Sequence, residues 1–349
     1  MRACEGLDLV LFADDTNIFA EGSNPAELFG RVNRGLGELS RWFRCNRLTL
    51  NLKKTEYVYF AGPGGHGVPP GGISIGGEEI RRVEEARFLG VWVDGGLSWT
   101  GQIDRVRAKV GRLLGVLGRA GAVLGGSSLL SLYNGLVLPH LQYCLMVWGD
   151  FQGARNGTLA GSLLRYQKRI VGLVAGVRGR YHADPLFAQH GVLKVGDLYR
   201  QQLRVHAWRF RNGMLPSGQA AMLARPGDVH GHATRSARSG LAVTARDHQM
   251  VGYRVPKEWA TLSEALRGVG SLAGFKRGSR GGSWRGMGRS RARWGGAGCV
   301  GLGWLGLMVR MELWRKWLEM LGTGTLPDWM GDLASFLRAL CMLGCVTHA

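Results

Sequence analysis

The chain has 349 residues, of which 45% are hydrophobic and 20% charged, enough apolar content for a sizeable core and too much for broad disorder. Forty-five Lys and Arg against 25 Asp and Glu give a formal charge of +20, which favours a polyanionic partner, although charge alone is equally compatible with an Arg-rich surface that has none. The six cysteines form no C-x-x-C pair and no zinc-type cluster, no secretory signal pattern opens the chain, and the most apolar window, Leu129 to Trp148, is interrupted by Asn134, Pro139, His140 and Gln142; these features argue against a disulfide scaffold, secretion and a membrane span.

In chain order, Leu9-Val-Leu-Phe-Ala-Asp-Asp-Thr-Asn-Ile-Phe19 predicts a strand, a carboxylate-bearing turn and a second strand. Two adjacent Asp side chains converge only where a tight turn breaks the strand alternation, and two carboxylates at such a turn suit Mg²⁺. An Asp-Asp pair by itself is also compatible with a solvated turn. Asn24-Pro25-Ala-Glu27 then supplies an N-cap, a Pro at the first helical position and a capping Glu. Leu28, Val32, Leu36, Leu39 and Phe43 continue as one apolar stripe towards Asn46, before Tyr57–Phe60 turns strand-like. A Gly/Pro loop over 62–72 follows. Ile73-Ser-Ile75 and Arg87-Phe-Leu-Gly-Val-Trp-Val93 predict the two strands of a hairpin with a loose middle. To about Asp94 the pattern is α+β with an antiparallel sheet.

From Ile103 the period becomes helical: Ile103, Val106, Val110, Leu113, Leu114 and Leu117 form a stripe, while Arg105, Arg107, Lys109, Arg112 and Arg119 fall off it. Leu129 to Val137 predicts a second helix running to Pro139. Leu163, Leu164, Gln167, Ile170 and Val171 predict a third, with Arg165, Lys168 and Arg169 on its other faces. Leu198 to Phe210 reads as a further helix, and 230–254 is less regular. Beyond Lys276 the chain becomes rich in Gly, Arg and Trp, a low-complexity tail; the basic excess does not depend on it.

Three motif groups occur in a fixed order: Phe12-Ala-Asp14-Asp15-Thr16, Leu48-Thr-Leu-Asn51-Leu-Lys-Lys54-Thr55 and Phe88-Leu89-Gly90-Val91. Together with Leu97-Ser-Trp99, Leu132-Tyr133, Leu138-Pro139, Val147-Trp148-Gly149, Leu164-Arg-Tyr-Gln-Lys-Arg169, His232-Ala-Thr-Arg235 and Phe275-Lys-Arg277, they resemble the later part of non-LTR, LINE-type reverse transcriptases over roughly residues 7–277.

The resemblance implies an α+β fold: a partial polymerase palm over 1–95, a helical thumb over 96–180, a connector over 181–277 and a disordered or non-native tail over 278–349. It implies RNA-directed DNA polymerase chemistry, with Asp14 the principal Mg²⁺ ligand, Asp15 the lesser one, and Lys54 acting on pyrophosphate. Phe88, Leu89, Gly90 and Val91 correspond to a primer grip, and Arg105, Arg107, Lys109, Arg112, Arg165, Lys168 and Arg169 to contacts on an RNA template–DNA primer, with deoxynucleoside triphosphates as substrates. Read from the residues alone, Lys54 is equally a surface lysine, Phe88 and Leu89 core residues, and the basic faces solvated. The family's first catalytic carboxylate belongs before Asp14, where this sequence has no room for it. The expectation is therefore a fragment inactive alone, in an intracellular nuclear or cytoplasmic ribonucleoprotein; a non-catalytic nucleic-acid-binding remnant and a pseudogene product are the competing expectations.

Overall fold

The computed structural model describes residues 7–12, 15–61, 71–149, 154–229, 240–244, 250–285 and 305–312, with 154–160, 227, 229, 281–285 and 305–312 as backbone only. It divides into two units, Met1–Gly101 with Gly296–Ala349, and Gln102–Gly295.

In the first unit, β1 (Asp8–Phe12) and β2 (Asp15–Gly22) form an antiparallel hairpin whose last pair is Phe12 with Asp15. Helix α1 (Pro25–Cys45) starts as its sequence requires, with the Asn24 side chain accepting from Ala26 N at 2.9 Å. Its stripe of Leu28, Val32, Leu36, Leu39 and Phe43 is buried in one core with Ile18 and Ala20 of β2 and with Tyr57 and Tyr59 of β3 (Glu56–Ala61). A 3₁₀ turn, Leu52–Lys54, leads into β3.

Two short ladders follow: β4 (Ser74–Ile75) pairs with β5 (Glu78–Glu79), and β6 (Arg81–Arg82) lies parallel to β3. Next, β7 (Glu85–Phe88) pairs with β8 (Val91–Asp94) through the turn Leu89-Gly90, with φ of 43° and 85°. Positive φ at both turn residues is the type I′ geometry that matches strand twist. The sequence pattern predicts the Ile73 and Arg87 segments as the two strands of one hairpin; they are not partners. Each closes its own hairpin, because Gly76-Gly77 and Leu89-Gly90 are both two-residue turns.

The main sheet has the order β1-β2-β9-β3-β6, where β9 is Leu305–Glu312. This corrects the expectation of a wholly disordered tail over 278–349. The Gly/Arg composition conceals one alternating octet, Leu-Gly-Leu-Met-Val-Arg-Met-Glu, that suits a strand.

The second unit is helical. Helix α2 (Thr100–Ala120), whose first two residues belong to the first unit, buries Ile103, Val106, Val110 and Leu117. A continuous rod follows as α3 (Gly126–Leu132), a π turn (Tyr133–Val137) and α4 (Leu138–Gln142). Pro139 lacks the N–H that a regular α-helix would use, and the wider turn just before it absorbs the mismatch. The rod thus runs past Pro139, where the sequence pattern ends the second helix, and Cys144, at φ 49°, breaks it before α5 (Leu145–Trp148). Burial pushes the Cys144 thiol up to about 12, which keeps it unreactive.

Helix α6 (Ala154–Val174) is followed by α7 (Ala183–Gln189), α8 (Val195–Arg211), the single turns α9 (Ser217–Ala220) and α10 (Pro226–Val229), then α11 (Val251–Ala260), α12 (Glu264–Arg267) and α13 (Leu272–Arg285). Buried Gln167 ties this unit together. Its amide donates to Tyr133 Oη at 2.9 Å and to the Leu193 carbonyl at 3.2 Å, and its Oε1 accepts from Val195 N at 2.7 Å. A division at 180 is therefore absent: residues 102–295 form one unit, because α6 and the start of α8 share a buried polar joint. Trp208, Trp259 and Phe275 form the far end of its core, with ring centroids 6.1 Å and 5.7 Å apart about Phe275.

Two expected outcomes follow from the packing. A Cβ on Gly95 would stand 2.6 Å from the Tyr59 carbonyl oxygen, so Gly95→Ala should destabilise the first unit by about 1–3 kcal/mol in urea unfolding. Burial, with Arg209 as a lesser cause, lowers the His206 pKa to about 4, below the ordinary 6.5. The unfolded chain then binds the extra proton first, so stability should fall as pH drops from about 6.5 to 4, by at most about 3 kcal/mol, and the fall should vanish in His206→Gln.

Candidate active site and nucleic-acid interface

Asp15 is the first residue of β2 and half-buried; Asp14 lies outside the described residues. The hairpin register closes at Phe12 and Asp15, so Asp15 sits at the head of a central strand. On its other side the ladder partner of Asp15 is Glu312 of β9. Two residues further along, Asn17 is only 1% exposed, and among the described residues its Oδ1 has no hydrogen-bond partner; the same holds for Thr16 Oγ1. Carboxylate oxygen is the right donor type for Mg²⁺. Among the described residues, no group of three or more His, Cys, Asp or Glu is arranged to hold a metal.

Lys54 ends the 3₁₀ turn and is exposed. Both Thr55 N and Oγ1 bond to the Asn51 carbonyl, at 3.1 and 3.0 Å, which fixes the turn that presents Lys54. Because β2 and β3 are each antiparallel to β9, they run parallel to one another, and their heads lie at the same end of the sheet. Glu56 is in register with Arg310 and Asn17, so the Lys54 turn falls at the level of Asp15. The structure therefore brings Asp15 and Lys54 to one sheet end.

Phe88 is fully buried against Phe19, with ring centroids 5.4 Å apart in an edge-to-face pair. Phe19 lies four residues from Asp15 along β2, about 13 Å. Phe88 and Val91 are core residues, Leu89 is half-buried, and only Gly90 is exposed. Of the four residues aligned with a primer grip, the turn pair Leu89-Gly90 is what the hairpin offers outward. Asp94 holds the far end, its carboxylate accepting from Gly96, Ser98 and Trp99 backbone N–H groups.

In the helical unit, the Tyr166 ring of α6 reaches over Gly111 of α2, where a Cβ would lie 3.4 Å from its hydroxyl. Arg112 and Arg165, the sequence neighbours of these two residues, are exposed, as are Arg105, Lys109, Lys168 and Arg169. Arg107 differs, being partly covered and paired with Asp104 at 3.0 Å. The field of Lys109 adds to burial in lowering the His140 pKa, which marks an electropositive region.

The sequence pattern missed Arg178 and Arg180, both exposed on the loop after α6. Tyr181 anchors that loop by donating to the Lys168 carbonyl at 2.9 Å and packing over Gly172. The run Arg178-Gly-Arg-Tyr181, basic and aromatic residues interleaved, is the signal that could have found them.

No family model matches the chain, and no curated protein or solved structure is similar to it. Among the described residues, no helix is long and apolar enough to cross a membrane.

Replacing both Arg112 and Arg165 by Ala should weaken binding to any nucleic acid and lower the slope of log K against log salt by about 1–2, measured by fluorescence anisotropy.

Proposed function

We propose that this chain is the carboxy-terminal part of a non-LTR, LINE-type reverse transcriptase, serving to hold an RNA template–DNA primer duplex. The observation that supports this best is the meeting of Asp15 and Lys54 at one end of a β2-α1-β3 crossover, with the Phe88–Val91 hairpin packed on Phe19 of the same sheet.

In this reading Asp14 and Asp15 would hold Mg²⁺, which when bound activates the primer 3′-hydroxyl and stabilises the departing pyrophosphate. Lys54, exposed on its turn, neutralises the pyrophosphate of the incoming deoxynucleoside triphosphate. Gly90, without a Cβ, lets backbone approach the primer end. The arginines of α2 and α6 neutralise phosphates and read A-form shape rather than sequence, as a polymerase requires. A ribonucleoprotein inside the cell is the setting that fits such a substrate.

A second reading, duplex binding without catalysis, is favoured by one feature. Arg105, Lys109, Arg112, Arg165, Lys168 and Arg169 are all exposed, and such a basic surface neutralises phosphates without any metal site.

Incorporation of dTTP on poly(rA)/oligo(dT) separates the two. The polymerase reading expects Mg²⁺-dependent extension that is abolished by Asp14→Ala while duplex affinity is unchanged. Absence of extension by the pure chain, with salt-dependent binding retained, would leave duplex binding as its function. Affinity that does not change between low and high salt would remove both.

A further inference from the structure

We infer that the gap between β2 and β3 is a strand-binding site, and that Leu305–Glu312 is its ligand: a carboxy-terminal latch that completes the first unit from the far end of the sequence. This does not rest on the polymerase reading.

The gap is built by topology. Strands β2 and β3 are parallel, joined by α1, and each pairs antiparallel with the one strand between them. Two strand spacings of about 4.8 Å separate them, so they cannot bond to one another directly. Ile18, Phe19 and Ala20 on one side and Tyr57, Val58, Tyr59 and Phe60 on the other are all buried. With the strand in place the backbone groups facing the gap are paired; emptied, the gap would present two rows of unpaired N–H and C=O groups on facing strand edges.

The occupant matches the gap in pattern as well as length. Positions 305, 307, 309 and 311 are Leu, Leu, Val and Met, and they stand in register with Gly22, Ala20, Ile18 and Thr16. The first three also pair with Ala61, Tyr59 and Tyr57. Ile18, Ala20, Tyr57 and Tyr59 belong to the core under α1, so the four apolar positions fall on the α1 face of the sheet. A slip of one residue would bring Gly306, Met308, Arg310 and Glu312 to that face instead. The observed register also puts Arg310 level with Glu56 and with Asn17, whose Oδ1 is buried without a partner among the described residues. The chemistry the site selects is an extended segment, antiparallel to both neighbours, apolar at alternate positions and cationic two positions before its end.

The latch also bears on the Asp turn. Its last residue is the ladder partner of Asp15, so the head of β2 is held on one side by Phe12 and on the other by the tail.

A disulfide test in the full-length chain reads the inference directly. Ala20 and Leu307 are ladder partners, so Ala20→Cys with Leu307→Cys should oxidise to an intramolecular disulfide, mapped by peptide mass spectrometry in the monomer. The slipped pair Ala20→Cys with Met308→Cys should not. A bond joining two copies would show that the strand comes from a second chain and overturn the latch in cis, and no bond in either species would overturn the strand-binding site itself. As an independent measurement, Val309→Pro removes a ladder donor at the centre of the strand. Amide exchange over 16–22 and 56–61 should then accelerate by about 100-fold or more, with α8 unchanged as the internal reference. Protection retained in β2 and β3 would overturn the proposal.

Discussion

The first unit depends on a missing rung. A strand-helix-strand crossover that skips one position leaves two buried strands facing each other across a gap, and backbone N–H and C=O groups in such a place must find partners. Everything else in the unit presupposes that the gap is filled. Helix α1 can bury Leu28, Val32, Leu36 and Leu39 only against a continuous surface that includes Ile18 on one side and Tyr57 and Tyr59 on the other. On the opposite face the β7-β8 hairpin reaches the sheet through Phe88 on Phe19 and through the close approach of Gly95 to Tyr59. Covered on both faces, β2 reads as an unbroken apolar run at Ile18-Phe-Ala20 rather than an alternating one.

The second unit solves a different problem, that of holding amphipathic helices whose outer faces repel one another. Its apolar stripes point inward, but the joint between α6 and the start of α8 is polar: one glutamine meets a tyrosine hydroxyl, a carbonyl and an amide. Because each of those groups would be costly to bury unpaired, the joint fixes one geometry where apolar packing alone would tolerate several. The Tyr166 ring of α6 reaches over Gly111 of α2, so Arg112 and Arg165, the sequence neighbours of these two residues, belong to adjoining surfaces. A cationic surface is thus the by-product of how the stripes pack, and its mutual repulsion is relieved only in part, as at Arg107 with Asp104.

Local signals in the sequence were legible wherever one short window held the whole cause. The Asn24 cap and the α1 stripe are of this kind; of the α2 stripe, Ile103, Val106, Val110 and Leu117 are buried while Leu113 and Leu114 are only partly so. The Gly76-Gly77 turn is visible in the sequence, but the turn at Leu89-Gly90 is not, because it lies inside a run, Arg87 to Val93, that reads as one strand; the pairing of the flanks is hidden as well, since strand partners are a property of distance and not of composition. The rod broken at Cys144 escaped for a related reason: a left-handed cysteine carries no compositional mark. Of the candidate site, Asp15 and Lys54 could be named from their motifs, while the level at which they meet is set by a ladder running through Arg310. That strand is about 250 residues away from its neighbours in sequence and embedded in a stretch dominated by Gly and Arg, so no window around either partner could reveal it.

Completing a sheet and completing a reaction centre are separate requirements. Ladder hydrogen bonds come from the backbone, so β9 satisfies β2 and β3 through groups that any non-proline residue carries. Chemistry at the head of β2 depends instead on which side chains stand at one or two register positions. At the position opposite Asp15 the chain carries Glu312, whose backbone completes the ladder whichever side chain stands there. The sheet can therefore be whole without the site being competent. The fold of this unit and the catalytic power of its Asp turn have to be judged by different measurements, one of backbone protection and one of turnover.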